Sequence, residues 1–176
     1  MAPTLTATLG SASANSYQTV AAATNYFENT LFEAAWTAIP TDKKAQALIT
    51  ACTWLETLGY TGERVSDTQA LQWPRIARSA MGVENDGTSI PKEVLTAQAE
   101  LALALATTPT AMTGATGSTT TTGPVKREKL DVLEVEYFTP PFPDTGALLQ
   151  RFRWLRPLVG TWLASPSAQL TTRVRS

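Results

Sequence analysis

Residues 42–75 read DKKAQALITACTWLETLGYTGERVSDTQALQWPR, and the first half of that stretch predicts a helix. Ala45, Leu48, Ile49, Cys52, Leu55 and Leu58 recur at helical spacing as one stripe, which Ala51 and Trp54 widen. Thr41 is the candidate N-cap, Asp42 suits the positive end of the helix dipole, and Gly59 can end the helix in the left-handed conformation. So wide a stripe predicts a core helix packed on more than one side. A charged turn (TGERVSD) follows, then one expected helical turn over residues 66–71. The tract closes on the corner QALQWPR, where Pro74 fixes its own backbone and restricts Trp73. A tryptophan held beside Arg75 suits stacking on a nucleotide base. The commoner use of such a residue is to plug the edge of a core.

Outward from this tract, the pattern predicts a first helix from about Thr19 that carries Val20, Ala23, Tyr26, Phe27 and Leu31. A short helical piece over residues 33–38 brings in Trp36 and stops before Pro40. Residues 81–89 (MGVENDGTS) read as a loop closed by Asp86 and Gly87. A third helix opens at Pro91, with Ser89 as nearby cap and Glu93 in its first turn. It runs to about Ala106 through Val94, Ala97, Leu101 and Leu105. Residues 1–16 are small and polar and predict a flexible N-terminal arm. Residues 17–106 make the helical core, and the Thr/Gly-rich stretch 107–124 a flexible loop. Residues 125–138 form a β segment in which Leu133, Val135 and Tyr137 alternate with Glu134 and Glu136. The phase slips at Val132 and Leu133, as at a bulge or a turn between two short strands. Residues 139–176 form a C-terminal arm, with an amphipathic helix over about residues 145–159 after the proline-rich break TPPFPD.

Composition removes whole classes of chemistry. The 176 residues contain no histidine and one cysteine. Zinc sites and Ser–His or Cys–His catalysis therefore lack their groups, as does any intrachain disulfide. Cys52 could be a nucleophile, but its place on an apolar helix face suits a packing residue. Glu134 and Glu136 pair two carboxylates, yet they alternate on an exposed strand face, where such residues solubilise. No acid, base and nucleophile converge. The reading is a non-enzyme without cofactor, catalytic residues or metal. No stretch approaches the roughly 20 apolar residues of a membrane helix, and residue 1 onward shows no secretory pattern. A soluble intracellular protein without membrane contact is expected.

Net charge is −1, but it is unevenly spread: residues 1–150 hold nine Lys/Arg against all fifteen Asp/Glu, while residues 151–176 hold five arginines and no acid. Such a tail meets an acidic surface or nucleic acid, or is simply a solvated basic face. Leu148, Phe152, Leu155 and Trp162 stand at helix-in-groove spacing, with Arg151, Arg153 and Arg156 spread around them. These seven are the candidate partner-binding residues. The alternative is that the helix packs back on its own domain. Lys126, Arg127, Glu128 and Lys129 are candidates for a strand that pairs between subunits.

The order of these segments resembles a known family. Tyr26, Phe27 and Trp36 are followed by DKxxxALITAxxxLE (residues 42–56), Gly59 and Tyr60, QALxWPR (69–75), IPxEVxxAxxELALA (90–104) and VKREKxxxLEVEY (125–137). This arrangement, over about residues 17–137, resembles a family of tailed-phage and prophage structural gene clusters. The family carries the description DnaT-like single-stranded-DNA-binding proteins, and it is similar to phage head-to-tail adaptor (head completion) proteins. The resemblance implies a mainly α fold: a small helical-bundle adaptor with a short β-strand or hairpin and extended terminal arms. It implies a homo-oligomeric ring, twelve-fold, between portal and tail, which extends the DNA channel. The implied partners are the portal protein, the tail or head-tail connector proteins, and DNA passing through without sequence-specific recognition. The implied location is the head-to-tail interface of the virion, reached from the host cytoplasm during assembly. The alternative takes the family description literally, as a single-stranded-DNA-binding protein. Against it stands the acidic body; for it stands RFRWLR at residues 151–156, where positive charge and aromatics coincide.

Overall fold

The computed structural model describes residues 3–108, 125–129, 134–137 and 147–164. Three helices begin the fold, α1 (Val20–Phe27), α2 (Glu33–Thr37) and α3 (Thr41–Leu55), and a fourth, α4 (Lys92–Thr107), forms its centre. The most extensive contact is between α3 and α4. Leu48, Ala51, Cys52 and Leu55 meet Val94, Ala97, Leu101, Ala102 and Leu105, and all are buried. The alanines let the two helices approach closely, and Gln98 then pins them: its Nε2 donates to the Leu48 carbonyl at 2.9 Å and to Ser16 Oγ at 2.8 Å. Ile49 and Trp54 are half-buried at the margin of the stripe.

α1 begins as its sequence suggests, with Thr19 Oγ1 accepting from the Ala22 N–H. Phe27 stacks on Trp36 with centroids 4.7 Å apart, and the Trp36 indole donates to Thr24 Oγ1 at 3.0 Å. Leu31 is not part of this face. The helix stops at Phe27, and Leu31 sits in the following turn, fully exposed. The ends of α3 also differ from expectation. Pro40, not Thr41, occupies the N-cap position. Gly59 is not left-handed; the helix ends because Thr57 and Leu58 close tight i→i+3 bonds to Trp54 and Leu55. Likewise Pro91 precedes α4 as its N-cap residue, and Ser89 is exposed.

The architecture is mixed α/β rather than a helical bundle. Strands β1 (Glu63–Arg64), β2 (Arg75–Arg78) and β3 (Glu84–Asp86) form an antiparallel sheet in that order. The expected helical turn over residues 66–71 is instead an irregular loop joining β1 to β2, and the expected loop over 81–89 contains β3. A tight turn makes the second connection. Ser79 N–H donates to the Val83 carbonyl at 2.8 Å, and Gly82 takes a positive φ of 84° that residues with a Cβ disfavour. Separately, β4 (Val125–Lys129) and β5 (Glu134–Tyr137) pair antiparallel, with a bulge between Val125 and Arg127. Two strands flanking residues 130–133 match the slip in pattern there. The burial expected for this segment, the bulk of the loop 107–124, and residues 139–146 and 165–176 lie outside the described residues.

Neither end of the described chain is an arm. Residues 3–18 form a folded loop organised by Asn15. Its Oδ1 accepts from Thr6 N–H at 2.8 Å, its Nδ2 donates to the Thr4 carbonyl at 2.9 Å, and its backbone N–H returns to Thr6 at 2.9 Å. Ser11 accepts from Ala70, and Ser16, Tyr17 and Gln18 are buried. At the other end, the single helix expected over 145–159 is broken into α5 (Ala147–Arg151), a 3₁₀ turn at Arg153–Leu155, α6 (Arg156–Val159) and a 3₁₀ turn at Gly160–Trp162. Pro157 explains the break, since it cannot donate to the Arg153 carbonyl and its ring crowds that group. Residues 160–164 then form a strap along the sheet. Thr61 N–H donates to Trp162, Ala80 N–H to Thr161 and Ala164 N–H to Gly59, at 2.9, 2.7 and 2.8 Å. Among the described residues no helix is long and apolar enough to cross a membrane.

Candidate nucleic-acid interface

The corner at residues 69–75 is built as a structural joint. Gln72 N–H donates to both carboxylate oxygens of Glu56 at 2.9 Å, and its side-chain amide donates back to the Glu56 and Leu58 carbonyls at 2.6 and 2.8 Å. Tyr17 OH donates to the same carboxylate, so the amino-terminal loop, the end of α3 and the corner meet at one group. Burial raises the Glu56 carboxyl above its ordinary pKa against the opposing pull of these hydrogen bonds. Arg75 is buried, with its guanidinium spent on backbone carbonyls: Nε on Thr61 at 2.9 Å and Nη2 on Gly62 at 2.5 Å. Trp73 is 1% exposed and meets Tyr60 and Trp162 edge to face at 5.4 and 5.6 Å. It plugs the core and offers no ring to a base. Cys52, packed nearby, has its thiol pushed up to about 12 by burial, which suits a packing residue and not a nucleophile.

Exposed aromatic and basic groups coincide instead along residues 151–156. Phe152 and Leu155 point into the core, whereas Arg151, Arg153, Trp154 and Arg156 are exposed. Trp154 is 41% exposed, and the buried Phe152 ring supports it edge-on at 6.0 Å. Among the described residues the one ion pair is Arg78 with Glu84, so Arg151, Arg153 and Arg156, on this exposed ribbon, pair with no described carboxylate.

That combination gains weight from comparison with known proteins. Residues 1–174 match the family described as "Putative DnaT-like ssDNA binding protein". The chain belongs to this DnaT-like family. No curated protein and no solved structure matches it.

For a DnaT-like chain the expected groups are cations for phosphates and flat rings for bases. Of the seven residues singled out for partner binding, the structure divides the set. Leu148, Phe152, Leu155 and Trp162 are 2, 7, 0 and 4% exposed and belong to the chain's own core. They are not docking anchors; the packing-back alternative holds. Arg151, Arg153 and Arg156 remain at the surface. Lys126, Arg127, Glu128 and Lys129 lie in β4, whose paired edge is taken by β5. Trp154 is not among the seven, although it stands in RFRWLR, the run in which positive charge and aromatics coincide. Among the described residues no three His, Cys, Asp or Glu side chains gather as they would for a metal.

Proposed function

We propose that the protein is a non-enzymatic binder of single-stranded DNA and that residues 151–156 make the contact. The observation that carries this reading is the exposed Trp154 among three exposed arginines on a ribbon whose apolar residues are anchored in the core. The arginines neutralise phosphates, and Trp154, already oriented by Phe152, stacks on a base. Phosphate contacts and base stacking carry no sequence information, so binding through them is indifferent to sequence. The rest of the described surface is mainly acidic and repels a phosphate chain, which confines the strand to the ribbon. Three phosphate contacts correspond to a slope of about −2 in log affinity against log salt, and one stacked base to roughly 1–3 kcal/mol. Anisotropy of a labelled oligothymidine in a salt series tests this. Trp154→Ala and the triple alanine variant of Arg151, Arg153 and Arg156 should each weaken binding, and Arg78→Ala should not. Unchanged affinity in the triple variant would overturn it.

The second reading is the head-to-tail adaptor: a ring between portal and tail through which DNA passes. It is favoured by the order of the sequence segments and by the hairpin β4–β5, whose outer edges have no partner strand among the described residues and suit pairing between subunits. In that setting the ribbon would face the channel. A stable complex between the purified chain and its portal, measured by mass, separates this reading from a free DNA binder.

A further inference from the structure

A second surface lies on the three-stranded sheet. The registers Glu63↔Ile76↔Asp86 and Arg78↔Glu84 place these side chains on one face, since directly paired residues share a face. It is the solvent face: Ile76 is 60% exposed, while Arg75 and Ala77 point inward. Val65, two residues beyond Glu63, joins it at 50% exposed. Gly87 forms the floor. A Cβ there would come within 2.4 Å of Val65 Cγ2 and 3.3 Å of Ile76 Cγ1, so the two β-branched side chains close over a backbone without a side chain. The face bounds an open concavity of about 940 Å³ that Ile76, Arg78, Glu84 and Asp86 help to line. Its one cation, Arg78, is only loosely held by Glu84 at 3.8 Å. An apolar floor with an acidic rim fits a segment that brings cations and a flat apolar ring together.

The same chain carries such a segment, with Arg153, Trp154 and Arg156 exposed in a single copy, so the two surfaces do not cover each other within one molecule. We propose that the outer face of β1–β2–β3 receives residues 151–156 of a second copy, so that the protein associates head to tail. Trp154 covers Val65 and Ile76, and the arginines meet Glu63, Glu84 and Asp86. Opposite charge steers the encounter and fixes its direction. Because each copy offers both surfaces, the contact is heterologous and propagates. A contact of this size belongs to the weak class, and it should depend on protein concentration and on low salt. The inference does not rest on DNA binding, although a DNA strand would compete for the same ribbon.

Sedimentation of the full chain with two variants at exposed positions, the charge reversal E63K/E84K on the sheet face and the neutralising R153A/R156A on the ribbon, tests it. The wild type should show average mass rising with concentration and falling with added salt. Each variant alone should be monomeric, with the thermal midpoint of the wild type. Mixed in equal amounts they should form a one-to-one dimer that grows no further, because each retains one working surface. A wild type that stays monomeric at low salt and high concentration overturns the proposal, as does a variant that associates like the wild type or a mixture that gives no dimer. E63K/E84K leaves the ribbon intact. Loss of DNA binding with the mixed dimer present would reject only the DNA reading, and the reverse pattern would reject only this one.

Discussion

Replacing Trp162 by alanine asks whether the carboxy-terminal ribbon and strap are part of the core. Trp162 is 4% exposed and abuts Trp73 edge to face at 5.6 Å. Its backbone carbonyl accepts from Thr61, but the substitution keeps that bond, so the loss is one of packing. Removing a buried tryptophan costs about 3–5 kcal/mol, within which the edge contact accounts for roughly 0.5–1.5. For a chain of this size each kcal/mol shifts the thermal midpoint by about 2–4 °C, so the variant should melt about 6–20 °C lower. Trp154→Ala is the internal control, eight residues away and 41% exposed; a surface change of that kind stays within about 0.5 kcal/mol. Thermal unfolding followed by far-ultraviolet circular dichroism reads both without relying on tryptophan emission. Equal midpoints for the two variants would refute the placement of Trp162 in the core and return residues 147–164 to the status of an arm.

Two further outcomes follow from buried titratable groups. Because burial raises the Glu56 carboxyl, its contribution to stability is fully present below the ordinary carboxylate range, near 4.3, and is lost as pH rises through the raised value. Glu56→Gln should therefore gain stability relative to the wild type between about pH 4 and pH 8, as denaturant midpoints at the two pH values would show; a pH-independent difference would contradict the burial of that carboxylate. Cys52, 1% exposed with its thiol pushed up to about 12, should resist an aromatic disulfide reagent in the native protein and react once per chain in denaturant. Rapid native labelling, read by absorbance, would contradict its packing role.

What the sequence makes legible is helical periodicity, and the core pair shows it. Leu48, Ala51, Cys52, Leu55 and Leu58 of the expected stripe pack in one cluster with the alanine-rich face of residues 94–105, whereas Ala45 and Ile49 fall outside that cluster. Trp73 and Cys52 also occupy the packing roles that their surroundings suggest. The sheet is hidden because its strands are two to four residues long, and because β2 inverts the usual code. In Arg75–Arg78 the first arginine points inward onto carbonyls and the isoleucine points out. At the carboxy-terminal end, periodicity correctly marks Leu148, Phe152 and Leu155 as buried. Spacing alone does not say whether the covering surface belongs to the same chain. The amino-terminal loop fails for another reason. Its order comes from side chain to backbone bonds at Asn15 and Ser11, which leave no apolar pattern. The ribbon arginines were visible from the start as a run of charge. The acidic sheet face was not, because its members are scattered over residues 63–86 and only strand register brings them together.

The strap has a consequence for the order in which this chain acquires its structure. Thr61 and Trp162 are bonded across 101 residues, and closing a loop of that length costs roughly 4 kcal/mol in chain entropy. That is comparable to what burying Trp162 returns, so the strap gains little by arriving before its binding surface exists. Helices α3 and α4, joined by shorter connections and a larger contact, can collapse first. Until the strap docks, Tyr60 and Trp73 line an open aromatic slot on an otherwise assembled core. That slot is the exposed apolar surface of the unfinished protein, and the place where a partly folded copy is most prone to stick to another.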